Sequence, residues 1–321
     1  MLASQAVTAT RATEERCLLV LADGVQAAFA AGAVAELARG GAAWTRGAGG
    51  GLGAHVALLA LLGEAAECER RWSRQAALGC PMFESRLSAA GRGLGSATGL
   101  TLLPDAWSLG GWLDPAGLSE HLAPEDAAVS ERLKAARAGM AVAIEDVASG
   151  TAEWVELTDL ADGETGAVLR AAAAFPAGWG PQRVERRGAA GRAWGGVGPA
   201  LRGRPPWSGD ARGWDVVCGF PVPAVRRPAL GEALLELVQR RSEASAADAV
   251  TSWLEERGGP ELRLVAPTAA GWSACSGREN ADLGVEYPLP WERNGEVTGT
   301  ILRFGALAAA GAVAAVPGPR G

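Results

Sequence analysis

The sequence predicts an α/β fold, a layered, mostly parallel sheet flanked by helices. Two patterns carry this reading. Short unbroken apolar runs, the mark of strands buried on both faces, recur along the chain. Alanine-rich helical stretches stand between them, the first closed by a glycine pair. Size is a third argument: a chain of 321 residues, 48% of them apolar, buries a large core without disulfide or metal.

Residues 1–15 read as a flexible leader and 16–321 as a single domain. Cys17–Leu21 is the first strand, 22–25 a turn, and Gln26–Arg39 a helix stopped by Gly40 and Gly41. Gly47–Gly53 reads as a glycine-rich turn and Ala54–Glu69 as a second helix. Loops dominate residues 73–136, with helices at 118–122 and 129–138. Gly139–Ile144 is a buried strand, and the alternation of Thr151–Leu157 marks an exposed one. Asp162-Gly163 reads as a turn, followed by a helix over Gly166–Ala174 that ends at Phe175-Pro176. Residues 177–213, rich in Gly, Pro and Arg, form a long irregular segment, of a length often tied to function. Trp214–Phe220 is a strand, Leu230–Leu254 a long helical stretch and Glu261–Val265 the last strand.

Composition narrows the chemistry. A net charge of −6 argues against a nucleic-acid binder. Lys134 is the single lysine, so positive charge is nearly all arginine, a bias ascribed to coding composition. His55 and His121 are the only histidines, which excludes a histidine-rich metal site. The five cysteines show no CxxC spacing; their odd number and the absence of a secretory h-region point to reduced thiols. The apolar stretch Phe304–Val316 is too short to span a bilayer. A cytoplasmic protein, or one peripheral to a membrane, with no cofactor and no metal is expected.

Gly47–Gly53 fits neither phosphate-binding pattern: GxxxxGK[ST] is absent, and Leu52 stands where GxGxxG needs glycine. His55 reads as a packed residue on an apolar helix and His121 as a surface or loop residue. Glu145-Asp146 follows a strand at the carboxyl end of the sheet, where α/β ligands bind. A solvated turn is the favoured reading there, a pocket lining the other.

The strand, turn and helix at 17–39, followed by the glycine cluster at 47–53, resemble the patatin-like phospholipase family over most of the chain. The family's GGGxRG loop aligns with Ala22-Asp23-Gly24-Val25-Gln26-Ala27. Phe29 and Gly32 fall where its helix often has an aromatic and a glycine. Its GxSxGA elbow aligns with Gly49-Gly50-Gly51-Leu52-Gly53-Ala54. Residues 138–150, Ala171–Pro176, Ala193–Val197 and Trp214–Val217 match further landmarks in order, with 193–197 where the family has DGG.

The resemblance implies a patatin-like three-layer fold and a serine acyl hydrolase ancestry. In the family the elbow serine attacks a lipid ester, the DGG aspartate is its base, and loop N–H groups bind the oxyanion. Each such donor is worth a few kcal/mol in the transition state. Here the nucleophile position is Gly51 and the acid position Trp194, which accepts no proton near neutral pH. Gly24 alone remains of the loop's glycine triplet; Asp23 adds a charge that repels an oxyanion, and Gln26 replaces the arginine. The elbow glycines Gly49 and Gly53 and the small Ala54 are present. No serine lies between residues 41 and 71, so shifting the alignment restores nothing.

The expectation is a pseudoenzyme acting as a protein-binding or assembly subunit, its partner an active paralogue or a larger assembly. The alternative is a non-catalytic lipid or acyl-chain binder using the vestigial cleft, and behind it a hydrolase with an unrecognised dyad. Trp179, Trp194 and Trp207 either plug the former cleft or form an exposed aromatic hot spot.

Overall fold

The structure, a computed structural model, describes residues 16–84, 113–122, 128–174, 179–186, 189–200, 202–203, 205–207, 213–222, 248–252, 262–276 and 293–314. The leader, Phe175-Pro176 and most of the 230–254 stretch lie outside these residues.

The strands are β1 (Arg16–Ala22), β2 (Trp44–Gly51), β3 (Gly139–Asp146), β4 (Ala152–Glu156), β5 (Gln182–Arg186), β6 (Ala189–Trp194), β7 (Gly213–Cys218) and β8 (Leu262–Val265). The helices are α1 (Gln26–Arg39), α2 (Gly53–Leu61), α3 (Ala65–Ala77), α4 (Pro115–Leu122), α5 (Val129–Ala136), α6 (Asp162–Ala173), α7 (Val197–Ala200), α8 (Ala269–Ser276) and α9 (Gly295–Ala314). The eight strands form one sheet in the order β5-β6-β3-β2-β1-β7-β8, with β4 also paired to β3. Pairing is parallel from β3 through β2, β1 and β7 to β8, and antiparallel where β3 meets β4 and β6 and where β5 meets β6.

Strand alternation divides the core in two. Leu18, Val20 and Ala22 of β1 face the large core built with α1, α2, α3, α6 and α9. Cys17, Leu19 and Leu21 face a smaller one with Trp214, Val216 and Cys218 of β7 and Val197 and Ala200 of α7. Layers on both faces of a mostly parallel sheet are the expected architecture.

β2 shows why its sequence is nearly all glycine. A Cβ on Gly49 would lie 2.4 Å from the Ala54 Cα of α2, and one on Gly50 2.8 Å from the Ala200 Cβ of α7. The strand is squeezed from both faces, and only bare backbone fits. Residues 47–51 are therefore strand, where a turn was expected. Helix packing follows the same rule. A Cβ on Gly32 of α1 would sit 2.0 Å from the Leu302 carbonyl oxygen of α9, and one on Gly305 2.0 Å from that of Phe29. The apolar stretch from Phe304 thus belongs to a helix that packs across α1, with Phe29 and Phe304 edge to face at 5.6 Å, while Leu307 on its other side is exposed.

Three further expectations are corrected. The helix expected over Ala54–Glu69 is two helices, broken where Gly63 takes a positive φ of 74°. Asp162-Gly163 opens α6 instead of forming a turn; Glu164 reaches back to accept from the Ala161 N–H at 3.2 Å, closing the helix start. The 177–213 segment is not irregular throughout: it contains the β5–β6 hairpin and α7.

One polar cluster ties four neighbouring strands at their amino ends. Asp215 of β7, fully buried, accepts from Arg16 of β1 at 3.0 and 2.7 Å, from Arg263 of β8 at 3.0 and 2.6 Å, and from the Trp44 indole of β2 at 2.7 Å. A carboxylate this deep is tolerable because both oxygens are saturated by charged or strong donors. Asp215→Ala removes the acceptor that Arg16, Arg263 and Trp44 share, and should lower the unfolding free energy by roughly 3–5 kcal/mol. Urea denaturation at neutral pH checks this.

Candidate functional site

The register of the central strands brings the candidate segments together. β1 and β2 run parallel with Ala22 opposite Gly51, and β1 and β7 with Leu21 opposite Cys218. Their carboxyl ends therefore deliver 22–27, 51–54 and 219–222 to one place, the edge at which α/β sheets bind ligands. A fourth segment arrives from β6. Gly195 donates to the Ala174 carbonyl at 2.7 Å and Gly196 to that of Ala172 at 3.0 Å. Val197 N–H then donates to the Asp23 carboxyl at 3.0 Å. The stretches matched to the glycine loop, the elbow, the alanine–proline segment and DGG are neighbours in space.

The turn between β2 and α2 has the shape of an elbow. Gly51 takes a φ of 66°, Leu52 is the N-cap and α2 begins at Gly53. A Cβ on Gly53 would lie 2.7 Å from the Val20 carbonyl oxygen, so strand and helix meet backbone to backbone. At Gly51 the side-chain direction is taken. A Cβ there would lie 2.0 Å from Asp23 Oδ1 and 2.4 Å from the Ala22 carbonyl oxygen. The carboxyl of the first loop occupies the place a residue-51 side chain would need.

Asp23 is 3% exposed. Its backbone N–H donates to Gln26 Oε1 at 3.0 Å, which gives the glutamine at the loop's arginine position a structural task. Oδ2 accepts from Val197, while Oδ1 is buried without a hydrogen-bond partner among the described residues. Burial raises the carboxyl's pKa to about 6, the Val197 bond opposing it. Gln26 also packs against the turn after β7: a Cβ on Gly219 would meet its Cβ at 2.6 Å.

The tryptophans do not form one patch. Trp179 is buried in the large core, stacked on Phe83 at 5.6 Å. Trp207 packs against the smaller core on the opposite face, with the Arg46 guanidinium 5.9 Å from its ring centroid. Trp194 is half-buried, paired across the sheet with Glu145. The plug over the elbow is Asp23, and Trp179 is no exposed hot spot.

The histidines are a second correction. His55 is packed as expected, but His121 is buried too, on α4, its ring 5.4 Å from that of His55 and 5.5 Å from that of Trp72. Burial, His55 and Arg71 hold its pKa well below the usual value. No periodicity in Pro115–Leu122 signals this, because the partner, His55, comes from α2, far away in sequence. Glu145 and Asp146, expected in a solvated turn, are the half-buried last residues of β3; Asp146 accepts from the Ala148 and Ser149 amides at 3.0 and 2.7 Å and from the Ser149 hydroxyl at 2.9 Å, closing the turn that follows the strand. Glu145 pairs with Arg202 at 3.2 Å.

Among the described residues no group of three or more His, Cys, Asp or Glu is placed to hold a metal ion, and no helix is long and apolar enough to cross a membrane. None of the five cysteines is in a disulfide, all are buried, and burial pushes the Cys218 thiol up.

No protein-family model matches the chain, and no curated protein matches it. Among solved structures it is similar to VipD from Legionella pneumophila, at 11% identity and a TM-score of 0.45, over 94% of this chain and 67% of that one. A likeness of that strength assigns neither activity nor partner.

The titrations of Asp23 and His121 have opposite signs. With a folded pKa near 6 against an ordinary 3.8, Asp23 burdens the fold only as it ionises, from about pH 4 upward and fully above 6. His121, held below its ordinary 6.5, withdraws stability as pH falls beneath that value. Asp23→Asn should therefore be more stable than wild type at about pH 8, by up to roughly 3 kcal/mol, and indistinguishable near pH 4. Chemical denaturation at the two pH values measures the difference.

Proposed function

We propose that this chain is a patatin-like scaffold whose hydrolytic centre is closed, and that it acts as a binding or assembly subunit and not as a serine acyl hydrolase. The observation carrying this is the occupation of the elbow. Gly51 has no nucleophile, and the space for one is filled by Asp23 Oδ1 and the Ala22 carbonyl oxygen. Acyl transfer through a serine needs a nucleophile, a base within hydrogen-bond reach and donors aimed at the oxyanion. The acid position is Trp194, and the group standing over the elbow is a carboxyl, which opposes a developing oxyanion.

The lipid-binding alternative is weaker at this place. An acyl chain lying against the elbow would have to displace a buried carboxyl and Gln26, both packed against glycines. A protein partner, an active paralogue or a larger assembly, fits a scaffold whose cleft is shut. A peripheral membrane location and a cytoplasmic one both remain compatible with that role.

A fluorophosphonate probe should leave the purified protein unlabelled; specific labelling of a serine accompanied by ester turnover would overturn the proposal. Gly51→Ser should not regain esterase activity, alone or with Trp194→Asp. A side chain at a positive φ, its Cβ pressed on backbone, should instead cost roughly 2–4 kcal/mol, read as a lowered denaturation midpoint.

A further inference from the structure

β5 closes one end of the sheet: it pairs with β6, and among the described residues no strand lies beyond it. The ladder shows what its open side presents. The Arg192 carbonyl of β6 accepts from the Val147 N–H at 2.9 Å, so Arg192 turns its backbone groups toward β3, and its neighbour Gly191 turns its own toward β5. Val184 stands opposite Gly191, and Arg183 opposite Arg192. Val184 therefore directs its N–H and C=O to β6, while Arg183 and Glu185 direct theirs outward, away from the sheet. Among the described residues no strand takes up those groups. A row of open backbone donors and acceptors is a template for another strand.

The side chains on this edge favour one occupant. Val184 is buried in the large core. Arg183 and Glu185 lie on the opposite face, largely exposed, and pair with each other at 2.7 Å. Arg183 also stands across the ladder from Arg192, exposed as well, and like charges directly opposite are unfavourable. An edge guarded by charges of one sign repels a copy of itself. Arg183-Val184-Glu185 does the reverse. Laid antiparallel against itself about Val184, it sets Arg183 opposite Glu185 of the second copy and Glu185 opposite Arg183 of the second copy. In that same register the outward N–H and C=O of Arg183 meet those of Glu185 of the second copy as a hydrogen-bonded pair, and the two Val184 residues form the closer, non-hydrogen-bonded kind. Backbone and side chains thus select one register. The incoming carboxylate also offsets the Arg183–Arg192 repulsion.

We propose that β5 is a homodimerisation edge: two copies of this chain pair antiparallel through residues 183–185, about a two-fold axis at Val184, into one continuous sheet. A second copy is then the partner for the assembly role proposed above, and the inference rests on that reading for its purpose alone. β6 and β3 separate the edge from β2 and the elbow, so a failed dimer leaves the closed centre and the fluorophosphonate result untouched.

Sedimentation velocity of the full chain over a concentration series tests it. A concentration-dependent dimer is expected, weakened by added salt. Arg183→Glu sets glutamates opposite each other across the two-fold, and Glu185→Arg sets arginines opposite each other. Each variant should weaken the dimer by about tenfold or more. Mixed in equal amounts, the two variants are complementary and should recover dimer to the wild-type level. Both side chains are largely exposed, so neither change disturbs the core. A wild-type chain that stays monomeric throughout the series would overturn the proposal. So would a dimer indifferent to either variant, or single variants that dissociate and do not recover on mixing.

Discussion

One carboxyl group over one glycine organises the carboxyl end of this sheet. Asp23 can lie where it does because Gly51 has no side chain, and Gly51 can turn sharply because its φ of 66° suits glycine. From that contact the rest of the site follows. Oδ2 takes the Val197 amide and so seats α7; the Asp23 amide takes Gln26, and Gln26 packs against Gly219 beyond β7. Four segments far apart in sequence meet around a buried acid. None of them presents a nucleophile there.

The physics of that acid explains why it is informative. A buried carboxyl with one oxygen unpartnered among the described residues costs stability at neutral pH, whereas Asp215 at the other end of the sheet, bonded by two arginines and an indole, does not leave an oxygen bare. The two aspartates are equally deep and opposite in character. One locks four strands. The other sits in a tight, half-satisfied place at the edge where α/β sheets carry their chemistry, the kind of place where strain marks function.

Much of the fold was legible in the chain itself. The apolar runs at 17–21, 139–144 and 214–220 needed no partner to be recognised as buried strands, and α1 begins and ends where its alanines and Gly40 say. Glycines misled where they served packing: 47–51 looks like a turn in isolation and is a strand because α2 and α7 press on it from both sides. The site's parts were readable as a resemblance, and the structure brings Asp23, Gly51 and Val197 together. What could not be read is the direction of the Asp23 side chain, the pairing of His121 with His55 and the ligation of Asp215. Each depends on contacts between residues distant in sequence. A lone acid inside the strand Trp214–Phe220, with arginines opening β1 and within β8, was the available signal for the last.

The account rests on Asp23 being buried against the elbow in a neutral cage. Carboxyl-carbon NMR of a sample labelled in aspartate, with the resonance assigned by Asp23→Asn, measures this directly. A titration midpoint near 6 is expected, well above the ordinary 3.8. A midpoint at or below the ordinary value would place the carboxyl in water or beside a cation, and would contradict the closed centre on which the functional reading stands.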